Sequence, residues 1–383
     1  MNWTLLPANR LADHAARWQA LNDASGASPL LAPEFVLPLL EEFGTGRELL
    51  ALCERDGVLN AMAILTPRGR GVWDTFQPSQ APIGLWLHRP GNDLTVLLST
   101  LMRALPGFPL VVGLTQLDPE LTARPAPETR LRLMDYVLTA RVALSGTFEE
   151  YWNARGKNLR QNMKKQRNKL EKEGIGTRLE CSTAPQDVAG ALADYGRLES
   201  AGWKAEIGTA IHPDNAQGRF YQRMLEGFAR RGAARLYRYY FDDRVVAMDL
   251  CIEGPDHIVI LKTTYDESIK DGTSPAFLLR QEQCEQLFGE RRLARIEFYG
   301  KVMDWHLKWT GDTRMLYHVS CYRFGALASL HERLRPVATV PAGSASAAAP
   351  AAGSSAASSP APPAAASAAA APVAAGQSSD NHG

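Results

Sequence analysis

Apolar residues recur at helical spacing over Glu34–Phe43, and Gly44 stops the run. A shorter helical pattern carries Trp18 and Leu21, with Ser28-Pro29 leading from one run to the next. Glu48–Cys53 and Leu59–Thr66 read as two strands, and Arg55-Asp56-Gly57 supplies a hairpin turn between them. Asp93–Leu105 predicts a helix, and Leu110–Gly113 a short, fully apolar strand. Strands and helices interleaved at this spacing imply an α/β layer.

The pattern sharpens beyond residue 140. Phe148–Trp152 opens a helical region, and Gly156–Glu173 predicts a strongly basic helix. Leu179–Cys181 is a short strand, followed by helices over Ala189–Trp203 and Phe220–Arg231. Arg235–Phe241, Val245–Ile252 and Ile258–Thr264 are β-rich runs joined by tight polar turns such as Asp242-Asp243, and they predict an antiparallel meander. Ser274–Phe288 returns to helix, with Pro275 suited to its first turn. Ala294–Phe298 and Arg314–Tyr322 close the series as strands.

A length of 383 residues exceeds one ordinary domain. The reading is a first half over residues 1–140, a second half over 141–335 and a tail over 336–383. From Pro341 to Ser379 the tail is nearly all Ala, Pro, Ser and Gly, with too little apolar surface to offset chain entropy, so disorder is expected there. The formal net charge of +1 favours neither nucleic acid nor an acidic partner overall, so any charge-based function must come from local clustering. Five cysteines stand far apart with no Cys-x-x-Cys or Cys/His spacing, which argues against a disulfide framework and a zinc site and for free thiols in a reducing cytoplasm. The first residues lack the apolar core of a signal peptide, and no stretch reaches the ~18 apolar residues of a membrane span. Neither a Gly-x-Ser-x-Gly elbow nor a P-loop occurs.

Several phrases together carry a resemblance. They are Gly156-Lys157-Asn158-Leu159-Arg160 running on to Lys164-Lys165, Glu199-Ser200-Ala201-Gly202-Trp203-Lys204 with Gly208-Thr209-Ala210, and Lys262-Thr263-Thr264-Tyr265-Asp266-Glu267 followed by Ser274-Pro275 and Leu278-Leu279. In this order and separation they resemble the FemAB-like branch of the GNAT superfamily, above all its CelD-like, polysaccharide-associated acetyltransferases. The likeness covers about residues 15–325 and is clearer in the second half. It implies tandem GNAT-like α/β halves with mixed, largely antiparallel sheets. It also implies an acyl donor, acetyl-CoA or another acyl-CoA, and an amine or hydroxyl acceptor on a sugar or polysaccharide precursor. Some distant relatives use aminoacyl-tRNA instead. Many relatives carry a Tyr-Lys pair near the last strands; here the stretch reads Gly300-Lys301-Val302-Met303-Asp304-Trp305-His306-Leu307-Lys308-Trp309, with His306 in the place of the Lys.

Acyl transfer from a thioester needs a hold on the donor phosphates, a route for the acceptor proton, and charge stabilisation at the thioester oxygen. For the phosphates, Gly272, Thr273, Ser274 and Ala276 precede or open a helix whose N–H groups attract anions; the alternative is plain capping by Thr273 or Ser274 with Pro275 behind. The basic helix aligns Lys157, Arg160 and Lys164 on one face, a surface for CoA phosphates, a sugar-phosphate acceptor or tRNA, or simply a solvated face. It has no interleaved aromatics, which disfavours nucleic acid. Glu199, Trp203 and Lys204 are candidates for the acceptor cleft. Asp249, which interrupts an apolar strand, is a candidate base if it faces the core. His306 has a suitable unperturbed pKa, or is a structural histidine beside two Trp residues; Tyr265 can donate to the leaving thiolate or simply pack; Lys262 is the candidate charge stabiliser, or an outward lysine on a strand edge. No metal is expected, and transfer without a covalent enzyme intermediate is favoured. A GNAT-like scaffold without activity is the reading from outside enzymology.

Overall fold

A computed structural model describes residues 1–200, 211–269 and 272–334. Trp203, Lys204 and the tail after residue 334 lie outside the described residues.

The strands in chain order are β1 (Asn2–Pro7), β2 (Leu49–Arg55), β3 (Val58–Gly69), β4 (Val72–Thr75), β5 (Trp86–His88), β6 (Val111–Leu117) and β7 (Leu131–Ala143). They continue as β8 (Thr177–Ser182), β9 (Ala234–Phe241), β10 (Arg244–Glu253), β11 (His257–Tyr265), β12 (Arg295–Phe298) and β13 (Thr313–Tyr322). The helices are α1 (Ala15–Asp23), α2 (Pro33–Phe43), α3 (Leu94–Ala104), α4 (Phe148–Asn153), α5 (Lys157–Lys172), α6 (Val188–Ser200), α7 (Ala216–Arg230), α8 (Pro275–Glu290), α9 (Asp304–Trp309) and α10 (Gly325–Leu334). The α/β class expected from the pattern and the mixed, largely antiparallel pairing implied by the resemblance are both present. The long strand β7 and the short strands β1, β4 and β5 escaped the sequence pattern.

Among the described residues all the strands belong to one sheet of 13, ordered β1-β2-β3-β4-β6-β13-β7-β12-β11-β10-β9-β8, with β5 attached to β3. The element order repeats along the chain. β1, α1, α2, β2, β3, β4, α3 and β6 form a first array, and β8, α6, α7, β9, β10, β11, α8 and β12 form a second. In each array the meander is antiparallel, and the strand after the long helix pairs parallel, β6 with β4 and β12 with β11. The arrays meet by exchange. β7 follows β6 in the chain but pairs with β12, whereas β13 follows β12 and pairs with β6, and the two exchanged strands pair with each other.

Packing follows the apolar stripes. Phe35, Val36 and Leu39 of α2 and Phe220, Met224 and Phe228 of α7 share one core, with the rings of Phe35 and Phe220 edge-on at 5.4 Å. That core joins both arrays on one face of the sheet. The other face is covered by α3 in the first array and by α8 and part of α5 in the second. β10 therefore has helices on both sides, which explains why nine of its ten residues are buried and why it reads as a continuous apolar run.

Candidate functional site

In each array a parallel pair stays in register for only three residue pairs, after which the two strands are no longer paired. In the second array, β11 and β12 are in register only from His257↔Arg295 to Val259↔Glu297, while β11 runs on to Tyr265. A bulge between Leu250 and Cys251 shifts the register of β10 against β11 near this point, and such bulges bend a strand and re-aim its side chains. Lys262 then lies opposite Leu250 and Thr263 opposite Asp249, so the two neighbours serve opposite faces of the sheet.

On the α8 face, Asp249 is fully buried. Its Oδ2 lies 2.8 Å from Arg280 Nη1, and its Oδ1 accepts a 2.5 Å bond from the Thr263 hydroxyl. Arg280, also buried, donates to Thr263 Oγ1 at 3.3 Å and to Gln283 Oε1, and its guanidinium stands 5.2 Å from the ring centre of Phe298. The Arg280 side chain thus bridges the separating strands, from Thr263 on β11 to Phe298 on β12. A buried carboxylate needs such a partner, because a lone buried charge costs several kcal/mol, about 3–5 when one partner of a pair is removed. The Nε of Arg280 has no partner among the described residues.

His306 lies against the same group. It is buried, stacked on Trp305 at 3.5 Å and edge-on to Phe298 at 5.2 Å. Its Nδ1 accepts the backbone N–H of Met303 at 3.0 Å, which assigns the proton of the neutral ring to Nε2. Burial, reinforced by the charge of Arg280, pushes its pKa down to about 4. His306 is therefore neutral at pH 7.

On the opposite face, Lys262 Nζ lies 3.3 Å from Glu199 Oε1 and above the rings of Tyr221 and Tyr195, at 5.5 and 5.9 Å from their centres. Glu199 Oε2 accepts the N–H of Ile211 at 2.9 Å. Burial, followed by the nearby Glu199 carboxylate, holds both tyrosine hydroxyls well above the usual range, so they stay protonated. Tyr265, at the end of β11, is half-buried, and burial raises it in the same direction. The structure brings Lys262 together with Glu199, and Asp249 together with Thr263 and Arg280 near His306.

The tip of α8 faces α5. Ser274 takes the N-cap position with Pro275 behind it, yet its hydroxyl makes no capping bond. The Ser274 N–H is instead met by Gln166 Oε1 from α5 at 2.7 Å. Gly272 adopts a left-handed φ of 87°, and a Cβ there would meet nothing within 4 Å. Thr273 is buried. Along α5, Leu159, Met163, Gln166 and Leu170 form the buried stripe, while Lys157 and Lys164 are exposed and Arg160 is half-buried, bonded to the Arg155 carbonyl at 3.1 Å. Arg167 of the same basic run turns to Glu282 of α8 at 2.9 Å.

Sequence reasoning missed Arg280, Gln283 and Gln166. The signal was present for two of them. Gln166 stands three residues after Met163 and four before Leu170, and Arg280 three after Phe277 and four before Cys284, so each interrupts a buried helical stripe.

The first array treats the end of its parallel pair differently. β4 and β6 are in register only from Val72↔Val111 to Asp74↔Gly113. Beyond that, Thr75 and Thr115 bond to each other through their hydroxyls at 2.7 Å, and the Gly84 N–H donates to the Thr115 carbonyl at 3.0 Å. A Cβ at Gly84 would lie 2.4 Å from that carbonyl oxygen and 2.5 Å from Thr75 Oγ1. The chain itself fills the gap. At the tip of α3, Asp93 accepts the N–H groups of Thr95 and Val96 at 2.7 and 3.3 Å, and Glu128 accepts the Thr95 hydroxyl at 2.9 Å.

With this geometry in hand, residues 157–307 match the acetyltransferase (GNAT) domain family. No curated relative matches the sequence. Among solved structures, the chain is similar to the C-terminal domain of a protein assigned as a lysylphosphatidylglycerol synthetase from Agrobacterium fabrum, with a TM-score of 0.53 and 15% identity over 85% of this chain and 95% of that one. It is similar to FemX, with a TM-score of 0.52 and 10% identity over 87% and 100%. A conserved protein of unknown function from Bacteroides thetaiotaomicron gives a TM-score of 0.51 and 10% identity over 80% and 97%. The domain match marks residues 157–307 as an acetyltransferase-type region, and the chain functions as an acyltransferase. Among the described residues no cluster suited to a metal ion occurs, and no helix is long and apolar enough to cross a membrane.

Proposed function

We propose that the second array, within residues 141–335, transfers an acyl group from acyl-CoA to an amine or hydroxyl of a sugar or polysaccharide precursor, and that the first array, within residues 1–140, is its structural partner. The contrast between the two helix tips carries this reading. The α3 tip is capped by a carboxylate with a second one beside it, which repels phosphate. The Ser274 N–H at the α8 tip is met by the neutral Gln166 of the basic helix α5, which suits an anionic donor. Gly272, Thr273, Ser274 and Ala276 then line the donor phosphates, with Lys157, Arg160 and Lys164 adding long-range attraction.

In the transfer, the acceptor nitrogen or oxygen attacks the thioester carbonyl, charge grows on the carbonyl oxygen, the C–S bond breaks and the acceptor proton is lost to solvent or a nearby base. Lys262 supplies positive charge to the growing oxyanion, and Glu199 holds it in place. Tyr265, still protonated at pH 7, gives its proton to the leaving thiolate. Asp249 acts through Arg280 to hold the strands apart, and the neutral His306 offers its Nε2–H. Trp203 and Lys204 complete the acceptor side in this proposal. Burial pushes the Cys251 and Cys284 thiols up, Cys284 to about 12, which opposes a thiolate intermediate.

The test is calorimetric titration of the full chain with acetyl-CoA and longer acyl-CoAs. Gln166→Glu is expected to weaken binding at least about tenfold, because it places a carboxylate at the α8 tip, whereas Asp93→Asn leaves it unchanged. Absence of binding to any acyl-CoA removes the reading. Likeness to FemX and the exposed lysines of α5 favour one second reading, an aminoacyl-tRNA donor. Its mark is tRNA binding that falls steeply with salt.

A further inference from the structure

The outward side of α5 carries an unusual charge. At about 3.6 residues per turn, Lys157, Lys164, Lys165 and Lys172 fall on one side of the helix, opposite the buried Leu159, Met163, Gln166 and Leu170. All four lysines are exposed, and none makes an ion pair among the described residues. Their row spans about 22 Å at about 1.5 Å per residue. The outward residues between them, Gln161 and Asn168, are neutral, and the acids Glu171 and Glu173 gather at the end. Lys165 also stands four residues from Lys169, a repulsive spacing for like charges. Helix α7 shows the ordinary arrangement: its Arg219, Arg223 and Arg230 pair with Glu42, Glu41 and Glu226. The face of α5 lacks such partners, and an anionic surface would supply them.

Apolar side chains adjoin this charge. Leu307 of α9 is 53% exposed, and Met303, four residues earlier, is 36% exposed. Lys301 and Lys308 flank them, both exposed, against the single acid of α9, Asp304. The end of α9 is fastened to the segment before α5, because the Trp309 carbonyl accepts from the Tyr151 hydroxyl at 2.9 Å and from Arg155 Nη1 at 2.5 Å. Leu159, Met163 and Leu170 of α5 and Trp309 of α9 enter the same core, so the outer sides of both helices face away from it. Lysines beside exposed leucine and methionine suit a bilayer surface, where cations meet anionic headgroups and apolar tips enter the interface. Single-stranded nucleic acid would instead want aromatic rings among the cations, and α5 has none.

We propose that this face docks the protein on an anionic lipid bilayer, with the four lysines of α5 against the headgroups and Leu307 and Met303 in the interface. The docking does not depend on which donor the second array uses, and it is measured without acyl-CoA.

The test is co-sedimentation of the full chain with vesicles of equal parts phosphatidylglycerol and phosphatidylcholine, and with vesicles of phosphatidylcholine alone. The mixed vesicles are expected to bind, more weakly as salt rises, and phosphatidylcholine at least about tenfold less well. Lys165→Gln with Lys172→Gln should weaken binding to the mixed vesicles about thirtyfold, at about fivefold per lysine. Leu307→Ser should weaken it about fivefold and leave the salt dependence unchanged, since an apolar contact is not screened. No binding to the mixed vesicles, equal binding to both compositions, or wild-type binding in the double lysine variant would overturn the proposal. Tighter binding to tRNA than to the mixed vesicles, unaffected by Leu307→Ser, would overturn it in favour of nucleic acid.

Discussion

The two arrays of this protein repeat one topology, yet they treat the same structural opportunity in opposite ways. In both, a parallel pair of strands parts after a few residues. The first array closes the gap with its own backbone at Gly84 and seals the helix tip with Asp93. The second spans the gap with a side chain, Arg280, anchored on Asp249, and leaves the helix tip to a neutral amide. Under the proposed function, one backbone segment and one carboxylate distinguish the first array from the donor-binding second.

The largest test of this contrast is Arg280→Ala. It strands a buried carboxylate and should lower stability by about 3–5 kcal/mol in urea unfolding. The double change Asp249→Leu with Arg280→Met should restore much of that loss, since the pair is then replaced by apolar groups. Equal losses in the single and double variants would show that the pair is not what holds the opening.

Next is the pH response of the second array. The His306 ring titrates near its ordinary 6.5 in the unfolded chain but near 4 in the fold. As pH falls from 6.5 to 4 the unfolded chain takes up a proton that the native ring refuses, so stability is lost across this window, by up to about 3 kcal/mol. His88 and His318, also lowered by burial, act in the same direction. His306→Gln should therefore flatten the slope of stability against pH only in part, and an unchanged slope would refute the assigned burial effect.

In the first array, Gly84→Ala forces a methyl group against the Thr115 carbonyl and should cost about 1–3 kcal/mol without changing acyl-CoA affinity. Gly272→Ala is the counterpart in the second array. It meets no atom and should cost only about 1 kcal/mol, from the left-handed backbone. Smallest is Asp93→Ala, which removes a helix cap for about 1 kcal/mol of thermal stability. A measurable gain in acyl-CoA binding to the α3 tip in that variant would mean the carboxylate alone had closed the first site.

Much of this architecture was legible beforehand. The meander Arg235–Phe241, Val245–Ile252 and Ile258–Thr264 was visible because each strand is a dense apolar run between tight turns. The basic helix and the Pro275 start of α8 were visible through charge and local backbone preference. β7 was not, because Arg132, Asp135 and Arg141 interrupt it, and its hydrogen-bond partners lie more than 150 residues away. At the site, Asp249 was conspicuous as a polar residue in an apolar strand, but its face and its partner were not. The bulge at Leu250/Cys251 decides those, and register shifts leave no mark in local composition.

Local pattern by itself determined the helices, the meanders, the class of fold and the polar residues that do not belong in apolar stripes, because periodicity and turn chemistry act over a few residues. Only the tertiary structure decided that β7 and β13 are exchanged between arrays, that Arg280 meets Asp249 across the opening, and that His306 is held neutral. Those outcomes depend on pairing, desolvation and charge between residues distant in the chain, and such energies exist only once the sheet has closed around them.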